Sequence, residues 1–167
     1  KASTRFTDFQ VSPTCSPTRA AIMSGRLPFE VGISHTIMQR DRLAPDVITF
    51  PQALQKAGYQ TGLFGKWHLG DGNDYLPQNR GFNEVLMHGA GGIGQYGFGD
   101  FKENSKNKYF DNVLLHNKTI VKTKGFCTDL FFQAAISWMK DQYDNEQSFF
   151  AYVSLNAPHG PLIAPEK

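Results

Sequence analysis

Cysteine, charge and long apolar runs are all scarce in this sequence of 167 residues. Its two cysteines, Cys15 and Cys127, are too few for a disulfide framework. The longest nearly apolar run, residues 149–155, is much shorter than the roughly 20 residues that cross a bilayer. Residues 1–10 also lack the apolar stretch of a signal peptide. We therefore predict no membrane span.

The charge balance argues against a nucleic-acid partner. Charged residues make up 19% of the chain, and 17 basic against 15 acidic side chains leave a net charge of +2. A domain that binds nucleic acid needs basic residues clustered on one face, and the near balance supplies no such footprint. Because 40% of the residues are hydrophobic and 14 are Phe, the composition fits a globular domain rather than a disordered chain or a coiled coil.

Hydrophobic periodicity predicts an α/β fold. Helices are predicted over residues 18–25 and 49–58 and from residue 128 onward, and strands over 59–64 and 148–155. Ser16 is the predicted N-cap of the first helix. This order of elements predicts a mostly parallel central sheet with helices on both faces.

The segment 70–124 is rich in Gly and Asn and predicts long loops with short strands, such as 113–115. Loops of this length in a compact α/β domain usually cover a site, so we interpret the segment as a loop-rich insertion near the active site. Within it, residues 89–94 match the GxGxxG pattern. A dinucleotide site needs a helix after this pattern and none is predicted here, so a flexible loop is the better interpretation.

A thiol and an arginine lie at the start of the first predicted helix. Cys15-Ser-Pro-Thr-Arg19 places the thiol just before the helix N-terminus and the guanidinium one turn inside it. Helix N-termini attract anions through free N–H groups, and the planar donor fork of Arg suits tetrahedral oxyanions. On its own, the pattern also fits a buried cysteine beside a capping turn.

Two further polar clusters follow predicted strands. Lys66 and His68 stand just beyond the strand 59–64, and His159 follows the strand 148–155. The carboxyl ends of the strands form the usual ligand-binding edge of an open α/β sheet. Together with Arg19, these clusters place a cation or a hydrogen-bond donor at three edges, which suits a polyanionic ester.

These residues resemble the signatures of the sulfatase family, closest to its arylsulfatase A-like group. The first signature is similar to Cys15-Ser-Pro-Thr-Arg19-Ala-Ala-Ile-Met-Ser-Gly25-Arg26, and the second to Gly58-Tyr-Gln-Thr-Gly-Leu-Phe-Gly65-Lys66-Trp-His68. The resemblance continues to Pro158-His159-Gly-Pro161 and so covers essentially the whole chain. It implies a partial alkaline-phosphatase-like sandwich.

The resemblance implies a sulfuric ester hydrolase that acts on an aryl or carbohydrate sulfate monoester. Cys15 is implied as the residue that a formylglycine-generating enzyme oxidises to formylglycine, whose hydrate is the nucleophile. Arg19 would hold this group, Lys66 and His159 would bind the sulfate oxygens, and His68 would orient or deprotonate the diol. Family habit also implies a periplasmic or secreted parent protein.

Calcium, or alternatively magnesium, is the metal that the resemblance implies. Cys15, as formylglycine, is the metal ligand that carries over to this chain, whereas the family's other ligands come from an Asp pair on an earlier strand and from an Asp-Asn or Asp-His pair much later. A hard cation takes about six or more oxygens. We therefore interpret residues 1–167 as an incomplete catalytic domain, and expect the isolated chain to bind metal poorly and to be inactive.

Two other functions stay open. One is a phosphonate monoester or phosphodiester hydrolase of the same superfamily, and the other is a non-catalytic oxyanion-binding remnant with an unmodified Cys15. The intact Cys-x-Pro-x-Arg pattern favours the sulfatase. The remaining chemistry-bearing side chains, which match no signature, are interpreted as solvated or packing residues: His35, His88, His116 and Cys127.

Overall fold

The structure is a computed structural model that describes residues 3–37, 39–95, 97, 99–104 and 109–166. Its α-helices are α1 (Cys15–Ser24), α2 (Phe50–Lys56) and α3 (Cys127–Asp144). Its strands are β1 (Gln60–Lys66), β2 (Glu84–His88), β3 (Val113–His116), β4 (Thr119–Lys122) and β5 (Phe149–Ser154). Short 3-10 helices cover Pro28–Val31, Asn73–Tyr75, Pro77–Arg80 and Lys102–Asn104.

The strands of the described residues form one mixed sheet in the order β4-β3-β2-β1-β5. β1 pairs in parallel with both β2 and β5, while β3 is antiparallel to β2 and to β4. β4 therefore points the same way as β1, β2 and β5, and β3 runs against them. The predicted α/β fold with a mostly parallel central sheet is confirmed.

Helices cover both faces of this sheet because the strands are apolar on both sides. On one face, Leu63 of β1 packs in a core with Met23 of α1 and Phe50 of α2. On the other face, Phe64 of β1 packs in a second core with Phe131 of α3. Successive β1 residues therefore serve opposite cores, as the two-residue period of a strand requires.

Most predicted elements overlap the observed ones, with two differences. α1 begins at Cys15, so Ser16 lies inside the helix, and its hydroxyl donates to the backbone carbonyl of His68 at 2.8 Å. The prediction that Ser16 caps the helix is therefore wrong. The segment 70–124 supplies β2, β3 and β4, of which only β3 overlaps a strand that the sequence predicted by its residues. Its residues 96, 98 and 105–108 lie outside the described residues.

The helices of the described part of the chain are all too short or too polar to span a membrane.

Glycine at position 65 allows β1 and β5 to approach closely where both strands end. Gly65 pairs with Ser154 and has φ of 122°. A Cβ atom at this position would lie 2.1 Å from the backbone carbonyl oxygen of Ser154. A side chain at position 65 would therefore force the two strands apart.

We predict that Gly65→Ala destabilises the fold by about 3 kcal/mol or more, because it combines a positive φ with overpacking against backbone. The matched control is Gly25→Ala, since Gly25 also has a positive φ, of 67°, but nothing within 4 Å of an added Cβ. The control should lose only about 1 kcal/mol. Urea unfolding of the two variants measures both values, and equal losses would contradict the proposed clash.

His88 ends β2 as a fully buried imidazole beside the ring of Phe131, with a centroid separation of 6.4 Å. Burial lowers the pKa of His88 to about 3, and the nearby charge of Lys66 adds to this effect. The buried ring agrees with the packing interpretation of this residue. Because its ordinary pKa is 6.5, the unfolded chain binds a proton in the pH range between these values that the folded chain does not bind.

We therefore predict that acid weakens the fold through His88. The free energy of unfolding should fall as the pH drops from 6.5 toward 3, with His88 contributing up to about 1.4 kcal/mol per pH unit. The measurement is urea unfolding at several pH values for the wild type and His88→Gln. The variant should show the shallower pH dependence, and parallel curves would refute the contribution of His88.

Candidate active site

The site lies at the carboxyl edge of three parallel strands. In register, the last residue of β1, Lys66, pairs with the last residue of β2, His88. The residue before it, Gly65, pairs with Ser154 at the end of β5. Parallel strands end at a common edge, so the segments that follow β1, β2 and β5 meet there. His68, the loop 89–94 and His159 come from these three segments.

Two hydrogen bonds converge on the backbone carbonyl of Lys66. Arg19 donates from Nη1 at 2.6 Å, and the Ser154 hydroxyl donates at 2.6 Å. A third bond runs from the Ser16 hydroxyl to the carbonyl of His68 at 2.8 Å. The first turns of α1 are thereby fixed to the end of β1 and, through it, to β5. This docking brings Cys15 to the sheet edge.

Cys15 is the first residue of α1 and is partly exposed. Burial raises the pKa of its thiol, but the charge of Lys66, hydrogen bonds from Lys66 and Thr36, and the charge of Arg19 together outweigh burial and leave the pKa below its ordinary value. A lowered pKa favours the thiolate. The environment at position 15 therefore stabilises negative charge.

Two cavities meet at Cys15 and His159, which line both of them. The first, of about 160 Å³, is lined also by His68 and by part of the 89–94 loop. The second, of about 430 Å³, is lined also by Arg19 and Lys66. The other four residues singled out from the sequence thus lie around Cys15, but Lys66 and His68 line different cavities although they stand two positions apart.

Lys66 is a buried cation and Arg19 a partly buried one, and both line the same cavity beside Cys15. Lys66 is 4% exposed, and burial lowers its pKa, an effect that the charge of Cys15 partly opposes. Burial likewise lowers the pKa of Arg19. Desolvated cations without a full set of anionic partners favour the binding of an anion.

His68 is held in a strained backbone conformation beside an acidic residue. Its φ of 60° is left-handed, which costs a non-glycine residue about 1–2 kcal/mol. Its Nε2 lies 3.6 Å from Oδ2 of Asp41, and both side chains are 7% exposed. Burial and the charge of Lys66 lower the pKa of His68 to about 3, so the imidazole is neutral at pH 7.

His159 is positioned by its backbone. Its N–H donates to the carbonyl of Asn156 at 3.0 Å, and the hydroxyl of Tyr109 donates to its carbonyl. Tyr109 is 1% exposed and comes from the segment before β3. The turn that carries His159 after β5 is therefore connected to the segment that precedes β3.

The loop 89–94 packs directly on both histidines. A Cβ atom at Gly91 would lie 2.4 Å from Cε1 of His68, and one at Gly92 would lie 3.1 Å from Cε1 of His159. The GxGxxG pattern therefore serves close packing of a loop on two side chains, and β2 is followed by a loop as predicted. The glycines that follow β2 are the feature of the sequence that could have indicated this close approach of the loop to the two histidines.

Sequence reasoning missed Asp41, Thr36 and Tyr109 as parts of the site. Asp41 and Thr36 come from the irregular segment between the 3-10 helix at Pro28–Val31 and α2. No motif or periodicity marks this segment, so its contacts with His68 and Cys15 arise only in the folded chain.

The described residues do not supply a calcium site. No group of three or more His, Cys, Asp or Glu side chains with metal-binding geometry occurs among them. The groups nearest Cys15 are the cations Arg19 and Lys66, whereas calcium takes about six or more oxygen ligands. Cys15 and its neighbours therefore do not fit a calcium ion by themselves.

Comparison with known proteins gives one consistent result. A family model described as Sulfatase matches residues 1–167. An uncharacterised sulfatase of Schizosaccharomyces pombe is 32% identical over 187 residues, which cover 100% of this chain and 33% of that protein. The N-acetylgalactosamine-6-sulfatase of Mus musculus is 28% identical over 178 residues, which cover 93% of this chain and 33% of that protein.

A solved structure shows the same architecture. The protein Ps i-CgsB, crystallised with k-i-k-neocarrahexaose, superposes with a TM-score of 0.77 and 31% identity over 92% of this chain and 36% of its own. The expected alkaline-phosphatase-like fold is thereby confirmed. The chain spans about a third of the length of the curated relatives it matches. Since the family model matches it from end to end, the chain belongs to the sulfatase family.

Proposed function

We propose that this chain carries the nucleophile and the anion-binding part of a site that hydrolyses a sulfuric ester. The observation that carries the proposal is the surroundings of Cys15, where the buried Lys66 and the partly buried Arg19 line one adjoining cavity and the neutral His68 lines the other. A sulfate monoester is an anion whose charge increases on the leaving oxygen as the S–O bond breaks. Fixed donors around such a centre stabilise this charge.

The proposed nucleophile is formylglycine, formed from Cys15 by a formylglycine-generating enzyme. When present, its hydrate would supply one hydroxyl that attacks sulfur and displaces the alcohol of the ester, and a second whose loss of a proton re-forms the aldehyde carbonyl as sulfate leaves. A cysteine or serine side chain has no second hydroxyl, so it would stay blocked as the sulfated enzyme.

The residues of this chain then have separate roles. Arg19 holds the formylglycine in place, Lys66 binds the sulfate oxygens from the same cavity, and His159, which borders both cavities, donates to a further oxygen. His68, which lines the other cavity beside Cys15, orients or deprotonates the attacking hydroxyl. Asp41 at 3.6 Å stabilises the positive charge that His68 acquires.

The proposed substrate is an aryl or carbohydrate sulfate monoester. A carbohydrate is supported by the name of the mouse relative, N-acetylgalactosamine-6-sulfatase. The proposed location of the full-length protein is the periplasm or the outside of the cell. Its proposed partner during maturation is the formylglycine-generating enzyme.

Calcium is the proposed metal of the complete site, with magnesium as the alternative. Because the described residues do not form its ligand shell, its remaining ligands would come from other parts of a longer protein. We infer that the 167-residue chain is inactive by itself.

We predict that the 167-residue chain shows no stoichiometric calcium binding at micromolar affinity, since its cavity residues include two cations and too few oxygens. Isothermal titration with Ca²⁺ measures this directly. A full-length protein that contains the chain should bind Ca²⁺ under the same conditions. Stoichiometric micromolar binding by the 167-residue chain would overturn the inference.

For the full-length protein, we predict that Cys15→Ser lowers the rate of sulfate ester hydrolysis by about 10⁴-fold or more, as expected when a nucleophile is removed. The matched control is Cys127→Ala. Cys127 is fully buried in the core around Phe131, and burial raises the pKa of its thiol to about 11. The control should keep most of its activity.

The same preparations test the modification and the reaction class. The peptide containing Cys15 should have lost one sulfur and two hydrogens and gained one oxygen, as mass spectrometry would show. Rates on matched sulfate and phosphate esters should favour the sulfate. A wild-type protein with an intact Cys15 thiol and no hydrolysis of sulfate esters would refute the proposed function.

A further inference from the structure

The carboxylate of Asp100 holds both ends of the glycine loop that covers the site. Its Oδ1 accepts the N–H of Gly89 at 3.1 Å, and its Oδ2 accepts the N–H of Gly94 at 2.6 Å. Asp100 is 5% exposed, so these bonds are shielded from water. A buried carboxylate that accepts two backbone N–H groups fixes the span between them, because losing either bond leaves a buried polar group unsatisfied.

A second contact fixes the middle of the same loop. The N–H of Ile93 points at Oδ1 of Asn156 at 3.4 Å. Asn156 is 3% exposed, and its carbonyl accepts the N–H of His159. The loop and the turn that carries His159 are therefore joined through one side chain.

Between these fixed points, Gly91 and Gly92 form the part of the loop that contacts the histidines. Gly91 approaches the ring of His68 so closely that a methyl group would not fit, and Gly92 lies against the ring of His159. The two rings face Cys15 from one cavity. Any change in the loop would therefore change the space available to both imidazoles together.

We propose that Asp100 is a positioning residue, which closes the 89–94 loop on His68 and His159 and so fixes the orientation of both rings beside Cys15. The effect of Asp100 on turnover rests on the proposed function, whereas its effect on the orientation of the two rings does not. Asp100 itself contacts neither ring among the described contacts, and acts through the loop.

The test is Asp100→Asn in the 167-residue chain, observed through the Cε1–Hε1 NMR signals of the histidines. The amide is isosteric and keeps one acceptor oxygen, but places an NH₂ group against the second backbone N–H. The signals of His68 and His159 should move, because their Cε1 atoms lie nearest the loop glycines. The signals of His35 and His116 should stay in place.

The matched control is Asp111→Asn. Asp111 also accepts a backbone N–H, that of Gly125 at 2.8 Å, but it is exposed and this bond does not involve the loop 89–94. It should leave the signals of His68 and His159 unchanged. Unmoved signals in Asp100→Asn, or equal movements in both variants, would overturn the proposal.

If Asp100→Asn does not fold, Gly91→Ala decides the matter with Asp100 intact. Its methyl group should displace the signal of His68 and not that of His116, and an unmoved His68 signal would refute the contact on which the proposal depends.

In the full-length protein, Asp100→Asn should lower kcat about tenfold and leave KM within about twofold, as expected for misplaced catalytic groups. A wild-type protein without sulfatase activity would refute the proposed function alone, since the NMR signals report ring positions without turnover. An active wild type whose Asp100→Asn variant keeps full kcat would refute the positioning role.

Discussion

The backbone carbonyl of Lys66 is the point on which the arrangement of this site depends. It accepts hydrogen bonds from Arg19 of α1 and from Ser154 of β5, so one atom joins a helix and two strands. The bond from Arg19 has a charged donor, and such bonds are about twice as strong as neutral ones. Because the same residue carries the ammonium group beside Cys15, the bonds that assemble the fold also set the charge at the nucleophile.

This arrangement places positive charge where it is costly without a ligand. Burial lowers the pKa of both Lys66 and Arg19, so each pays a desolvation cost that the Cys15 thiol only partly offsets. An anion that enters the cavity restores the lost solvation, and the gain is larger for a species with more negative charge on its oxygens. The neutral His68 lines the other cavity beside Cys15, where burial and, after it, the charges of the same cations keep its pKa low. The cations Arg19 and Lys66 and the neutral His68 therefore lie in separate cavities on either side of Cys15.

The sequence predicted those parts of the fold and site that local patterns encode. The apolar stripe of α3, the Gly25 end of α1 and the strand pattern before Lys66 each depend on neighbouring residues, and each overlaps an observed element. β2 was missed because its five residues are followed by glycines and preceded by 3-10 turns. Asp41 could not be predicted as a neighbour of His68, since the two side chains meet only through the folding of an irregular segment.

The position of the site within the sheet explains why it opens to one side. β5 is an edge strand of the described sheet, and its first five residues are only partly buried although all are apolar. The cation-lined cavity lies beside this strand and includes Tyr152 and Leu155 in its wall. An apolar edge strand requires cover, and the relatives are about three times as long as this chain. The partly exposed side chains of β5 therefore border the cavity that Arg19 and Lys66 line.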